Sequence, residues 1–418
     1  MSPERGFGDR KPSMMLTANR RFAFSASRRL ARDGTTGAVN EQRWGAGGER
    51  EWGSGENYQA FLVYAGEPEA RTGMLVNLAE VKRLVKPVLD ERYDHRFLNR
   101  DTPPFDRVVP TAENVARDLL AAAARASAGI VPPLVACHLR EAPGIGATAW
   151  ADGRVERDAW LEFSAARRTC SPHLSDAENE ALFGRAASPA GHGHGYRLRV
   201  TLAGDVDAAD GTVVPHAEVA AGLADLHALL DHRHLNLEVA ELAGEPVTTE
   251  CLARFVFRRL ARRLPVARVR LYEMPHFFAE YDGASAALGL EQTFSAAHRL
   301  QARGLSDEEN WRVFGKCSNP NGHGHRYTVQ ASVAGPLDER TGTVFALDRL
   351  AGALEAVLGA WDHRHLDLEV EAFRDRPSTG ENIVLALWPL LAPRLDGRLV
   401  RLRVFETENN RFTLRERR

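Results

Sequence analysis

No apolar run in this chain approaches the ~18 residues that a membrane-spanning helix requires, which argues against a membrane partner. Excess charge is absent as well. The 54 lysines and arginines stand against 56 aspartates and glutamates, a net charge of −2, so the basic surplus typical of nucleic-acid binding is missing. Cysteine is scarce: Cys137, Cys170, Cys251 and Cys317 lie far apart with no CxxC pair, which argues against a disulfide framework and fits a reducing, cytoplasmic setting. Lysine is limited to Lys11, Lys82, Lys86 and Lys316, which singles out Lys316 beside a cysteine. The first residues carry Glu4 and Asp9 and no apolar centre, so 1–19 read as a flexible tail and not as a signal peptide. What remains is a soluble globular composition, 44% hydrophobic and 26% charged, over 418 residues, enough for two to three domains.

One paragraph of sequence occurs three times. Asp94-His95-Arg96, Asp231-His232-Arg233 and Asp362-His363-Arg364 each follow a shared opening phrase, at Phe24, Phe163 and Phe294. A helix-start phrase follows each, Thr111-Ala-Glu113, Thr248-Thr-Glu250 and Thr379-Gly-Glu381, and each block closes on a glutamate, Glu141, Glu273 or Glu406. Three units result, 20–147, 158–283 and 289–418, each the size of a domain, with Gly-containing joints at 144–157 and 283–289.

The third unit can be read element by element. Residues 290–300 are a strand candidate, and from Tyr327 the alternation Tyr-Thr-Val-Gln-Ala-Ser-Val predicts a half-buried strand. Leu347, Leu350, Leu354, Val357 and Trp361 form a helical stripe, and Ser378 or Thr379 caps a second helix over Ile383–Leu395. Val400, Leu402, Val404 and Glu406 share one face of a third strand, and a fourth covers about Arg411–Leu414, giving the order ββααββ and an α+β class. A carboxylate that continues an apolar face, as Glu406 does, must escape or be paired, so three such glutamates at matched positions point to a donor-rich ligand.

The chemistry concentrates in Lys316-Cys317-Ser-Asn-Pro-Asn-Gly-His323-Gly-His325, with His298 upstream. Two histidines two apart on a strand project to one face. A third imidazole completes a catalytic zinc site with one open position, and Cys317 stands outside the ligand set as a proton-transfer group. A free thiol is a poor base at neutral pH, so Cys317 needs a neighbouring imidazolium or cation, with Asp-His and Lys316 the candidates.

In these residues the chain resembles the 6-pyruvoyl-tetrahydropterin synthase family of tunnelling-fold enzymes. The spacing of Cys317 to His323 and the closing Phe405-Glu406-Thr407-Glu408-Asn409 are similar to that family's motifs. The resemblance implies that His298, His323 and His325 bind Zn2+ and that Cys317 abstracts a proton. It also implies that Asp362 and His363, or the same pair from another unit, poise the thiol, and that Glu406 anchors the pterin. Thr379 and Lys316 join Glu406 as substrate contacts, Lys316 toward the triphosphate. The fold it implies is a pseudo-trimer in which three four-stranded units close a twelve-stranded antiparallel barrel with helices outside, and two chains stack as a homodimer.

The other units depart from this pattern. In the second, His192 and His194 remain, but Arg167 replaces His298 and Ala186 replaces Cys317; arginine has no lone pair for a metal. In the first, Arg28, Ser54 and Glu56 take the histidine positions and Gly48 that of the cysteine. The expected activity is conversion of 7,8-dihydroneopterin triphosphate to 6-pyruvoyl-tetrahydropterin with release of triphosphate, at the third unit alone. Alternatives are a 6-carboxy-tetrahydropterin synthase or another pterin side-chain lyase, and a non-catalytic pterin-binding scaffold.

Overall fold

The computed structural model describes residues 13–32, 34–45, 50–141 and 144–417. Each unit contributes four antiparallel strands: β1 (Met14–Arg28), β2 (Ser54–Gly66), β3 (Leu134–Arg140) and β4 (Ile145–Trp150) in the first; β5 (Val155–Arg167), β6 (His192–Ala203), β7 (Val266–Met274) and β8 (Phe277–Tyr281) in the second; β9 (Ala286–His298), β10 (His323–Gly335), β11 (Leu399–Phe405) and β12 (Asn410–Glu416) in the third. Around the sheet the order is β8-β7-β6-β5-β4-β3-β2-β1-β12-β11-β10-β9, and β8 pairs β9 to close it. The result is a closed twelve-stranded antiparallel barrel. Closure leaves no free sheet edge, which a single four-stranded unit would expose on both sides.

Alternation explains the layering. Leu402 and Val404 of β11 are fully buried, while Arg401 and Arg403, which alternate with them, are not. The apolar face of each strand meets the helices, and the polar face looks into the barrel. The helices are α1 (Gly37–Trp44), α2 (Leu78–Arg92) and α3 (Ala112–Ala126) in the first unit; α4 (Asp176–Phe183), α5 (His216–Leu230) and α6 (Thr249–Leu260) in the second; α7 (Asp307–Phe314), α8 (Leu347–Gly359) and α9 (Gly380–Leu391) in the third. The last helix of each unit packs on its closing strand pair, α3 on β3 and β4, α6 on β7 and β8, α9 on β11 and β12. No described helix is long and apolar enough to cross a membrane.

Three sequence expectations change here. β1 begins at Met14 and pairs with β12 from Met14↔Glu416 onward, so part of the stretch read as a tail belongs to the barrel. The joints read at 144–157 and 283–289 are hairpins of the sheet itself, β4–β5 and β8–β9, with β4 running through the first and β9 beginning inside the second. Their small residues, Gly146-Ala147-Thr148-Ala149 and Ala286-Ala287, hide the alternation that reveals other strands. A short helix, α1, α4 or α7, also stands between the first two strands of every unit, and a four-residue helix follows each Asp-His-Arg (Leu98–Asp101, Leu235–Glu238, Leu366–Glu369), so ββααββ omits both.

The units are clasped in a fixed direction. The N-cap Thr379 of α9 donates its Oγ1 to Gly73 O of the first unit at 2.9 Å, and Glu381 Oε1 accepts from Leu75 N at 2.8 Å. Thr111 and Glu113 hold Gly211 O and Val213 N of the second unit at 2.6 and 3.2 Å. Thr248 holds Gly342 O, and Glu250 holds Val344 N of the third at 3.3 Å. The third unit thus grips the first, the first the second, and the second the third. Glycine is required at the gripped position: Gly73 has φ +70°, and a Cβ there would sit 2.2 Å from Asn382 Nδ2. Gly73→Ala is expected to lower stability by ~1–3 kcal/mol, from the left-handed conformation and the clash together. Gly352→Ala, in the open on α8, should be neutral or stabilising. Chemical denaturation of both variants checks this, and equal effects would refute it.

Candidate active site

The three histidines meet because of strand register. β9 and β10 pair with His298 opposite His323 and Ala296 opposite His325, which puts all three rings on one face at the end of the hairpin. Their ligand-capable nitrogens all lie within 4.8 Å of one another, and His298 Nε2 is 3.0 Å from His323 Nε2. His298 is fully buried, and its Nδ1 lies 3.3 Å from Ser378 O, Ser378 Oγ and Tyr327 Oη. A carbonyl only accepts, and Ser378 Oγ already donates to Asp367 Oδ2 at 2.7 Å, so the His298 proton belongs on Nδ1. That leaves the Nε2 lone pair for a metal. Burial lowers the His298 pKa to about 4, opposed by Glu406 and reinforced by His323 and His325, so the ring is a neutral donor at physiological pH. The donor set therefore fits a metal ion.

The connection between β9 and β10 delivers the thiol. Ser306 and Glu309 form a capping box that starts α7, and a short 3₁₀ turn, Gly315–Ser318, carries Cys317. Cys317 O accepts from Leu300 N at 2.8 Å, and the thiol packs on a small cluster of Leu300, Ala302, Leu305 and Phe314 that also touches Met74 of the first unit. Asn310 pins this loop by accepting from Ala302 N and donating to Ala302, Leu305 and Ser306 carbonyls. Burial, then the charge of Glu406, pushes the Cys317 thiol up, the reverse of the lowering that a base needs. Lys316 is exposed.

The Asp-His pairs stand apart from that thiol. Asp362 Oδ1 accepts from Ser295 N at 2.7 Å and its Oδ2 lies 2.9 Å from His363 Nδ1, with the His363 side chain 82% exposed. His95 and His232 repeat the arrangement, and all three histidines have left-handed backbones at φ 56°, 54° and 57°. Among the described residues, no hydrogen bond or ion pair joins any of them to Cys317.

Glu406 follows β11, and its Oε2 accepts from Asn410 Nδ2 at 2.9 Å. Its charge acts on His298, His323 and Cys317, which places the carboxylate beside both the metal position and the thiol. Glu381, buried at the start of α9, completes the wall against the first unit, whose Asn77 Nδ2 donates to Val313 O at 3.0 Å. The complete site thus lies on the seam between the third and first units.

Comparison with known proteins identifies the architecture. The family profile described as 6-pyruvoyl tetrahydropterin synthase matches residues 17–152, 159–284 and 287–417. The chain belongs to the 6-pyruvoyl tetrahydropterin synthase family. It is similar to the human 6-pyruvoyl tetrahydrobiopterin synthase, 47% identical over 120 residues, which are 28% of this chain and 83% of that protein. The Drosophila melanogaster protein of the same name is 44% identical over 136 residues, 31% of this chain and 79% of that one. A probable 6-carboxy-5,6,7,8-tetrahydropterin synthase of Halobacterium salinarum is 36% identical over 95 residues, 22% of this chain and 52% of that protein. Among solved structures, the Caenorhabditis elegans 6-pyruvoyl tetrahydropterin synthase aligns at 37% identity and TM-score 0.31, covering 32% of this chain and 96% of that one.

Within this synthase-family chain the other two sites share the register but not the chemistry. Arg167 faces His192 and Ala165 faces His194; Arg28 faces Ser54 and Ala26 faces Glu56. Arg167 pairs with Glu273 and Arg28 with Glu141, so in both units the closing carboxylate is bound to the arginine at the metal position. Ala186 sits on the 3₁₀ turn Gly184–Ala187, as Cys317 does on its own, while Gly48 lies outside the described residues. Sequence reading missed Glu381, Ser378, Asp367 and the loop 73–77 as parts of the site. The repeated Thr-x-Glu phrase was the available signal for Glu381.

Burial raises the Glu381 pKa to about 7, with the backbone amides it accepts from opposing and Glu406 reinforcing the shift. A carboxyl whose folded pKa is raised confers stability below its unfolded pKa, and that stability is lost as pH rises through about 7. Relative to Glu381→Gln, which cannot titrate, the wild-type chain is expected to lose up to ~3 kcal/mol between about pH 5 and about pH 8. Urea denaturation of both at each pH measures the gap, and a pH-independent gap would sink the assignment.

Proposed function

We propose that the third unit is a zinc-dependent 6-pyruvoyl-tetrahydropterin synthase, converting 7,8-dihydroneopterin triphosphate to 6-pyruvoyl-tetrahydropterin with loss of triphosphate. The observation that carries this reading is the convergence, in this unit alone, of three imidazoles, a thiol and a closing glutamate with acceptor capacity left over. His298, His323 and His325 would hold the zinc, which supplies Lewis-acid polarisation of the substrate's side-chain hydroxyls. Glu406 accepts from the donor edge of the pterin, with Thr379 and Glu381 shaping the wall beside it. Lys316, exposed at the mouth, meets the triphosphate. Cys317 moves the proton along the side chain.

The raised thiol pKa sets a condition on that last role. Among the described residues no cation or imidazole lowers the Cys317 pKa, which supports an activating imidazole that arrives on the substrate-bound, assembled enzyme. His95, His232 and His363 are exposed and each is oriented by an ionised aspartate, as such a donor would be. We therefore read the working enzyme as a homodimer of stacked barrels in which one of these three histidines reaches the partner's Cys317.

Incubation of the protein with zinc and dihydroneopterin triphosphate should give 6-pyruvoyl-tetrahydropterin by mass spectrometry; a carboxy-tetrahydropterin or a pterin aldehyde as main product would replace the reading. Cys317→Ser is expected to lower turnover by ~10²–10⁴ with zinc content unchanged. His323→Ala should lose the metal. Of His95→Ala, His232→Ala and His363→Ala, one alone should collapse turnover, and equal mild losses at all three would refute the shared-histidine arrangement.

A further inference from the structure

The inward face of the barrel carries a cluster of six arginines drawn from all three units: Arg140 on β3, Arg199 on β6, Arg270 on β7, Arg401 and Arg403 on β11, and Arg411 on β12. Each alternates with side chains of the outer core, such as Leu139, Leu271, Leu402 and Phe412. Three acids face the same cluster, and each is already engaged. Glu280 is shared by Arg270 and Arg401, Asp158 accepts from Thr201 Oγ1 at 2.7 Å and lies 3.9 Å from Arg199, and Glu291 Oε1 accepts from Gln330 Nε2 at 2.6 Å. Glu156, Glu162 and Glu408, nearer the ends of the barrel, are paired with Arg268, Arg197 and Arg21.

Arg140, Arg403 and Arg411 are left without a carboxylate among the described residues. Arg403 donates only to neutral acceptors, Gln330 Oε1 at 3.1 Å and Thr413 Oγ1 at 3.2 Å. Arg140 and Arg411 make no hydrogen bond there and rest on rings instead: Arg411 Cζ is 5.3 Å from the centre of Phe61, and Arg140 Cζ is 5.8 Å from that of Trp160. Their Nη atoms keep accessible surface, unlike the enclosed Nε of Arg411, and on the inward face of a closed barrel that surface belongs to the lumen. Burial, then the charges of Arg140, Arg199, Arg270 and Arg401, lowers the Arg411 pKa to about 10, so this guanidinium stays charged at neutral pH among like charges. Such an arrangement costs free energy that a counter-charge recovers. A compact anion of several charges meets all three guanidiniums at once, and phosphate oxygens match their fork. We propose that the barrel lumen binds an oligophosphate, held by Arg140, Arg403 and Arg411. A cavity of about 370 Å³ at the end where β1 begins, lined by Arg268, Arg401, Arg415 and Arg417 with Glu280, Asp282 and Glu416, opens that end of the lumen. The inference does not rest on the reaction proposed for the third unit.

Titration calorimetry of the full-length protein with inorganic triphosphate, at fixed ionic strength, tests this. The expected result is saturable binding, weakened at least about tenfold by Arg411→Gln and by Arg140→Gln. Triphosphate should also raise the Tm of the wild type, and each variant should lose that rise. Neither arginine has an ion pair to lose, so both variants are expected to fold, with a Tm in phosphate-free buffer no lower than that of the wild type; either variant alone decides the matter. Arg349→Gln, which removes an exposed arginine of α8, should leave the affinity unchanged. Saturable binding should persist in Lys316→Ala, which separates the lumen from the third unit's site. Absence of saturable binding in the wild type, affinity unchanged in Arg411→Gln and Arg140→Gln, an equal loss in Arg349→Gln, or binding abolished in Lys316→Ala would each overturn the proposal.

Discussion

Each seam of this barrel depends on a buried glutamate at a helix start that accepts a backbone amide from the next unit. Glu113, Glu250 and Glu381 are each nearly fully buried, and each takes a single amide from a strand-connecting loop of its neighbour. A carboxyl in that position is costly without a partner, and the neighbour's backbone supplies one. The threonine beside it donates in the opposite sense, to a glycine carbonyl two residues earlier in the same loop. The pairing is directional, so three units can only be joined head to tail, and the ring closes when the third grips the first. The same residues wall the site, so a unit that loses its chemistry cannot shed its seam without opening the barrel.

That coupling accounts for how the first two units differ from the third. Each has an arginine at the metal position, and each arginine is bound to the closing glutamate. Without a bound metal, the closing carboxylate would be a buried charge beside another acidic group; the arginine satisfies it, joined in the second unit by the retained His194. The pairing drives the Glu273 carboxyl far below its usual range, against the burial that would raise it. In both copies the closing carboxylate is thus held in an internal ion pair.

Much of this was legible in the sequence. The three-fold repetition, the alternating strands from Tyr327 and at Val400–Val404, the α8 stripe and the Thr379 cap all have local periodic or capping signatures, and strand register then follows from them. The Ser306-x-x-Glu309 capping box also announced α7, although the ββααββ reading passed over it. What stayed hidden depends on contacts with no local signature. Leu75 and Glu381 are 306 residues apart, and nothing near either shows that they meet. Ser378 and Asp367, which fix the His298 tautomer, look like an ordinary cap and an ordinary acidic residue. The apolar setting of Cys317 was hidden for the same reason: sequence adjacency drew attention to Lys316, whereas the thiol packs against Leu300, Ala302, Leu305 and Phe314.

The Asp-His pair separates into two parts with different duties. In all three units the aspartate accepts from a backbone amide of the unit's first strand, and the following histidine donates its own amide to the same serine carbonyl, at 2.6 Å each time. Those bonds hold a left-handed histidine backbone that would otherwise cost ~1–2 kcal/mol. The fold therefore has a use for the aspartate and for the histidine backbone in every copy. It has little use for the imidazole, which is at least 82% exposed in each. A ring held out to solvent on a strained backbone, beside its aspartate, is open to contact from outside its own chain, as the proposed shared-histidine arrangement requires. Three such rings are present, and the proposal asks one of them to serve Cys317.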